Sequence, residues 1–410
     1  MIRRYWFVLL LLAVPAALAA FAFGCGSNAN DDDDGGNGEP TPPIYDPTMI
    51  GFAFGNGVYD YNQGRWNKND VAPTSNMIVG AIFVNRDFGL VYTPQQVYLY
   101  YNNGWIEETP PDFPAGAMMF DAARTADGTF WFAANDAENN GYFIRIGMDG
   151  SKQVIPMLGN VSFSPVRLTS AMAIPGDNNV YFTAEIDLNL YVVAWDGMQG
   201  TSFLPIIAQN PEAPIDVLDL AWGPDGAFWV AGYDWADGAQ LGVIWHFVNN
   251  EWSRQPLTAA SGCRTVSARR IYFTPQGTAY ALAECSWSQI YHTNDLANWQ
   301  EMPLPGEKGD EYKIRDLSLL DDTRGWAVGY TSSTDGPLLL LRDPNGWQVA
   351  VPQTFGEGDR LWAVAMFDLP APGPDDDTTV DDDTVVDDDT TDDDAVDDDL
   401  VDDDTAGDES

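Results

Sequence analysis

Leu218-Asp219-Leu220-Ala221-Trp222-Gly223-Pro224-Asp225-Gly226-Ala227-Phe228-Trp229-Val230-Ala231-Gly232 reads as an apolar strand, a tight turn and a second strand opened by aromatics. Gly223-Pro224-Asp225-Gly226 supplies the turn: proline presets φ, aspartate tolerates the bend and glycine takes a positive φ. The chain from about residue 50 to 368 reads as variations on this hairpin, each followed by two more strands.

The second strand recurs as Thr129-Phe130-Trp131-Phe132-Ala133, Val180-Tyr181-Phe182-Thr183, Thr278-Ala279-Tyr280-Ala281 and Gly325-Trp326-Ala327-Val328-Gly329. Its aromatic returns roughly every 46 to 51 residues, the period of a four-stranded blade. Third strands follow at 97–101, 142–146, 190–195, 243–248, 289–293 and 338–342. Fourth strands are often opened by Trp (Trp66, Trp105, Trp252, Trp299, Trp347) and run into Pro110, Pro156, Pro205, Pro256, Pro303 or Pro352. Proline lacks the amide donor that a central strand needs, so it suits an outer edge.

Six full units begin near Met77, Met118, Val166, Val217, Thr265 and Ile314. Two fragments remain: residues 52–67 hold strands two to four, and residues 361–367 a lone first strand. Joined, they complete a seventh blade and close the ring, leaving no blade seam unpaired. The expectation is an all-β, seven-bladed β-propeller over residues 50–369; an open sandwich and a six- or eight-bladed ring are the alternatives.

The first 25 residues read as an export signal: Arg3 and Arg4, an apolar run from Tyr5 to Phe23, then Gly24-Cys25. This close resembles a bacterial lipoprotein signal, which implies lipid attachment at Cys25; cleavage after Ala17-Leu18-Ala19 is the rival. Gly26 is compatible with outer-membrane sorting, so the expected location is the outer membrane or cell surface, with a periplasmic or secreted protein as alternative. Residues 26–49 read as a disordered acidic, Pro- and Gly-rich tether, and residues 370–410 as a disordered tail of repeated Asp triplets. Weak divalent-cation binding by that tail is compatible with its charge. An ordered calcium loop is not, because its glycine turn and ligand spacing are missing.

The net charge of −43 is therefore concentrated at the ends. The remainder, with 38 acids against 19 bases, is still acidic, which argues against nucleic acid and against anionic lipid surfaces. The membrane enters only through a lipid anchor, and the protein is expected to be a monomer. Cys263 and Cys285 mirror one another across one hairpin, and in an exported chain this predicts a structural disulfide. His246 and His292 lie one blade apart without a carboxylate cluster, so no metal site, cofactor or catalytic residue is assigned.

Residues 223–229 and 126–133, with Tyr142-Phe143-Ile144-Arg145-Ile146, resemble the repeats of streptogramin lyases and related seven-bladed propellers. That resemblance implies the fold; the histidines are not placed where the lyase chemistry would need them. Residues 293–299 loosely resemble the Asp-box turn of sialidase-type propellers, a structural turn. Residues 325–329, 338–342 and 345–347 resemble the repeat of photosystem-assembly-factor-type propellers, which implies protein binding.

Arg167, Arg264, Arg315 and Arg360 each fall near the start of a first strand, which would ring one mouth of the central channel with anion-binding groups. Pairing with Asp216, Asp310, Glu311, Glu357 or Asp359 is the competing reading. The longer second-to-third-strand loops share that face and present Tyr233 and Trp235. The leading expectation is an envelope-anchored, non-enzymatic scaffold that binds a protein or glycan at this face and mouth. The alternative is a hydrolase or lyase acting on an anionic substrate there, with Glu185 or Glu284 as acid/base.

Overall fold

Strands Asp216–Trp222 and Phe228–Ala236 form the hairpin that the repeat implies, with Gly226 at φ 74° and its N–H donating to the Gly223 carbonyl at 3.0 Å. The computed structural model describes residues 45–369 apart from 158–165, 187–188, 198–199, 207–214, 237, 259–262, 264, 307–311, 351–354 and 357. The signal, Cys25, most of the tether, the acidic tail and Arg264 lie outside the described residues.

Every described strand belongs to one of seven four-stranded antiparallel sheets. Blade one takes its inner strand, Leu361–Asp368, from the end of the fold and its other three, Met49–Gly55, Val58–Asn62 and Arg65–Asn69, from the beginning. Met49 pairs with Asp368 and Phe52 with Ala365, so the ring is closed by the two ends of the folded chain. The inner strands of blades two to seven are Gly80–Asn85, Met118–Arg124, Val166–Ala173, Asp216–Trp222, Ser267–Phe273 and Tyr312–Leu319. The chain is a seven-bladed β-propeller, with no α-helix among the described residues.

The recurring aromatics fill the space between blades. Trp131, Phe143, Phe182 and Trp195 form one core across blades three and four. Tyr59, Tyr61 and Trp66 of blade one pack with Trp326 of blade seven, whose ring centroid lies 5.3 Å from that of Trp66. Each blade is apolar on both faces, which explains why its central strands lack strict polar alternation.

Six inner strands carry a β-bulge at the same register. The residues left without a partner are Phe120, Thr169, Leu218, Arg269, Arg315 and Trp362. Opposite each bulge, the second strand places a small residue beside the residue before the bulge: Ala134, Ala184, Gly232, Ala283, Gly329 and Gly55. A Cβ on Gly232 would stand 2.1 Å from the Asp216 carbonyl oxygen, and one on Gly329 2.0 Å from that of Lys313. The bulge draws the inner strand too close for a larger side chain.

One segment departs from expectation. The stretch after Gly232, read as a loop, continues the ladder, and Ala239–Val248 pairs with it up to Ala236. Tyr233 faces Asp216 and Gly242 in register, and Trp235 faces Gln240.

Candidate functional site: the axial cavity

The bulged residues converge on the ring axis. Phe120, Thr169, Leu218, Arg269, Arg315 and Trp362, with Val79 from blade two, line a single cavity of about 560 Å³, so every blade contributes at least one residue. Pro94, the strand-end residue Asn135 and the loop residues Asp136 and Asn139 form its rim, which places the mouth on the face of the second-to-third-strand loops.

One residue deeper along each strand lies a polar belt. A bulge removes a backbone N–H from the ladder, and in five successive blades a side chain of the preceding blade accepts it. Asp121 Oδ2 accepts from Ala171 N at 2.8 Å, Ser170 Oγ from Leu220 N at 3.1 Å, and Asp219 Oδ2 from Ile271 N at 2.8 Å. Tyr272 OH accepts from Leu317 N at 3.3 Å and donates to Asp316 Oδ1 at 2.7 Å, and Asp316 Oδ2 accepts from Val364 N at 2.9 Å. Ser170 Oγ donates to Asp121 at 2.7 Å, and Arg270 Nη1 stands 3.4 Å from Asp316. Blade one has Ala363 at this position and adds no polar group.

The belt gathers three carboxylates around one guanidinium. Burial pushes the Asp219 carboxyl up to about 7; the neighbouring Asp121 charge adds to this and Arg270 opposes it. Burial also raises Asp316. For Arg270, burial acts downward but is outweighed by Tyr272 and the three aspartates, which hold the guanidinium charged. Tyr92 from blade two is raised by burial and by the same carboxylates. Asp121, Asp219 and Arg270 form the cavity floor. Among the described residues, no group of three or more His, Cys, Asp or Glu side chains is arranged to hold a metal ion; the oxygens of these aspartates are largely committed to backbone amides.

The arginines read from the sequence do not share one position. Arg167 and Arg360 precede the bulge by two residues and Arg315 sits on it, while blade six presents Arg269 at the Arg315 position. Arg167 lies 3.2 Å from Glu185 and 3.4 Å from Asp216, and Arg360 pairs with Asp335. Neither lines the cavity. Arg315 does. It stacks over Trp362 at 4.8 Å, donates to Tyr330 OH at 2.8 Å and reaches Glu284 at 3.4 Å. An open ring of four arginines is therefore not formed by the described residues.

Tyr233 and Trp235 are half-buried in the extended hairpin and lie off the cavity; burial and then Asp216 raise the Tyr233 phenol. His246 stacks on Trp229 at 3.8 Å and lies 2.7 Å from Asp225 of the opposite-face turn. Burial, then Arg342, lowers His292. Cys263 and Cys285 are joined by a disulfide, which pins the segment before the blade-six inner strand beside Glu284.

Phe120, Leu218, Asp219, Arg269 and Trp362 were missed as site residues. Their signal was a register one, a polar residue repeated in the middle of apolar inner strands: Phe120-Asp121, Leu218-Asp219 and Arg315-Asp316.

No family model matches the chain, and no curated protein matches it in sequence. Its likenesses are to solved structures. The periplasmic gluconolactonase of Pseudomonas aeruginosa is 13% identical with a TM-score of 0.55, covering 78% of this chain and 100% of that one. A 6-phosphogluconolactonase candidate from Bacteroides fragilis is 12% identical with a TM-score of 0.51, covering 80% and 100%. An extracellular domain from Bacteroides thetaiotaomicron is 13% identical with a TM-score of 0.48; the match covers 75% of this chain but spans only 37% of that one. The first two share the propeller fold with this chain. These likenesses support the fold that the streptogramin-lyase and assembly-factor resemblances imply and show neither family.

Proposed function

We propose that this chain is an exported, non-enzymatic binding protein that holds a glycan in its axial cavity. The observation that carries the reading is the cavity's make-up: residues from every blade, with the Trp362 and Phe120 rings beside amides and charged groups. An aromatic face packs on a sugar ring while the exposed Asn139 at the rim exchanges hydrogen bonds with hydroxyls.

Export is supported by Arg3, Arg4, the apolar run and Cys25 in the sequence, and by the Cys263–Cys285 disulfide. Among the described residues no helix is long and apolar enough to cross a membrane. Both ends of the folded chain leave on the face opposite the mouth, where Leu369 N donates to the Thr48 carbonyl at 2.7 Å.

The test is a thermal-shift panel of mono- and disaccharides on the wild type and Trp362→Ala. At least one sugar should raise the wild-type midpoint, and the variant should lose most of that rise. A second reading, a hydrolase, is favoured by one observation: a cavity carboxyl, Asp219, poised near neutrality as a general base must be. Turnover of a bound sugar that Asp219→Asn abolishes would replace the first reading with this one.

A further inference from the structure

The cavity is polar in the electrical sense. On one wall Glu284 gathers three cations: Lys313 Nζ lies 3.2 Å from Oε1, Arg315 Nη1 lies 3.4 Å from Oε2, and Arg269 Nε contacts the same Oε2. One carboxylate thus faces three positive charges among the described residues. Lys313 is turned away, since its Nζ also donates to the Ser286 carbonyl at 2.8 Å. Arg269 and Arg315 line the cavity, and the Arg269 side chain is 45% exposed. The Nε of Arg315 is buried without a hydrogen-bond partner among the described residues. The floor has the opposite balance, with Asp121 and Asp219 against Arg270, and Asp316 adds a third carboxylate 3.4 Å from Arg270.

We infer that the ligand is a singly charged hydroxy acid of sugar size, its carboxylate on Arg269 and Arg315 and its hydroxyls donating to Asp121 and Asp219. The inference rests on the axial-cavity reading above and narrows it. Two guanidiniums that already converge on one carboxylate keep an excess of positive charge, and the half-exposed Arg269 keeps N–H donors, for a second carboxylate. A second negative charge placed toward the floor would be repelled by the aspartates, and a neutral hydroxyl donor there would be welcomed. Trp362, held under Arg315, offers its ring between the two ends.

The probes are D-glucuronate, its neutral methyl ester and D-glucose, measured by titration calorimetry on the full chain at low and high salt, with Arg269→Gln alongside wild type. Arg269 is exposed, and an unchanged thermal midpoint shows that the variant is folded. D-glucuronate should bind at least tenfold more tightly than the ester or glucose at low salt, and high salt should shrink that ratio. Arg269→Gln should bring D-glucuronate to the level of glucose and leave glucose unchanged. Equal binding of all three probes overturns the carboxylate subsite while the cavity reading stands. A tenfold ratio that survives Arg269→Gln also overturns the subsite as placed here. Absence of binding by every probe overturns it together with the glycan reading.

Discussion

Asp316 and Val364 lie in adjacent blades, 48 residues apart, and the carboxylate of the first accepts the backbone N–H of the second at 2.9 Å. The bond ties blade seven to the inner strand that closes the ring. It is the last of five such relays, each rescuing an amide that a bulge has taken out of its ladder. The belt therefore connects fold and site: the bulges that turn side chains into the cavity create the amides that the belt side chains satisfy.

Replacing Asp316 by Ala leaves the Val364 amide unsatisfied and takes the 3.4 Å partner from Arg270. We expect a loss of about 3 kcal/mol, read as a fall in thermal midpoint. Hydrogen exchange should accelerate in residues 361–368 ahead of the remaining inner strands. Uniform acceleration through all blades would show that the belt does not act locally at the closure.

The pH dependence follows from Asp219. Its carboxyl titrates higher in the folded chain, at about 7, than in the unfolded one, so between about pH 4 and 7 the folded state binds more protons. Stability from this group is therefore greatest in acid and falls as pH rises through that window. Asp219→Asn keeps an acceptor for the Ile271 amide and removes the ionisation. Thermal midpoints should show the variant's gain over wild type larger at pH 8 than at pH 5 by roughly 3 kcal/mol. A gain of equal size at both pH values would contradict the assignment.

Gly232 faces the bulge of blade five, where an added Cβ would meet the Asp216 carbonyl oxygen at 2.1 Å. Gly232→Ala should cost about 2 kcal/mol through displacement of the inner strand. Gly150→Ala is the contrast: it has open space and only its φ of 77° to accommodate. Chemical denaturation of both variants checks this, and an equal cost would mean that the close approach is not what matters.

The disulfide closes a sequence separation of 22 residues. Replacing both cysteines by Ser should cost about 3 kcal/mol on the chain-entropy account. The pair also holds Glu284 in place, so cavity binding should weaken with it. Stability lost with binding intact would limit the bond to a staple.

The fold was legible because its information is local and repeated. Gly-Pro-Asp-Gly turns, aromatic second strands and a lone first strand at 361–367 together carry the blade count and its closure. The site was less legible because it depends on register. Leu218-Asp219-Leu220 reads as an apolar strand with one odd residue, and nothing local says that Leu218 is bulged toward the axis and Asp219 caps blade six. For the same reason the strand-start arginines are equivalent in the sequence pattern, although a two-residue difference in register separates Arg167 from Arg315. The hairpin after Gly232 looked like a loop because Asp234 and Gly238 are turn formers. In the structure Asp234 is buried and pairs with Arg254 at 2.6 Å, which allows the strand to continue.

The central claim is that the axial cavity holds the ligand, and filling it tests that most directly. Thr169 lines the cavity, and Thr169→Trp would occupy part of it while leaving the floor carboxylates and the arginines unsubstituted. The measurement is the thermal-midpoint shift given by neutral and acidic monosaccharides on wild type and Thr169→Trp. The account predicts a clear stabilisation of the wild type by at least one of them and none of the variant. Equal stabilisation of both proteins would contradict it.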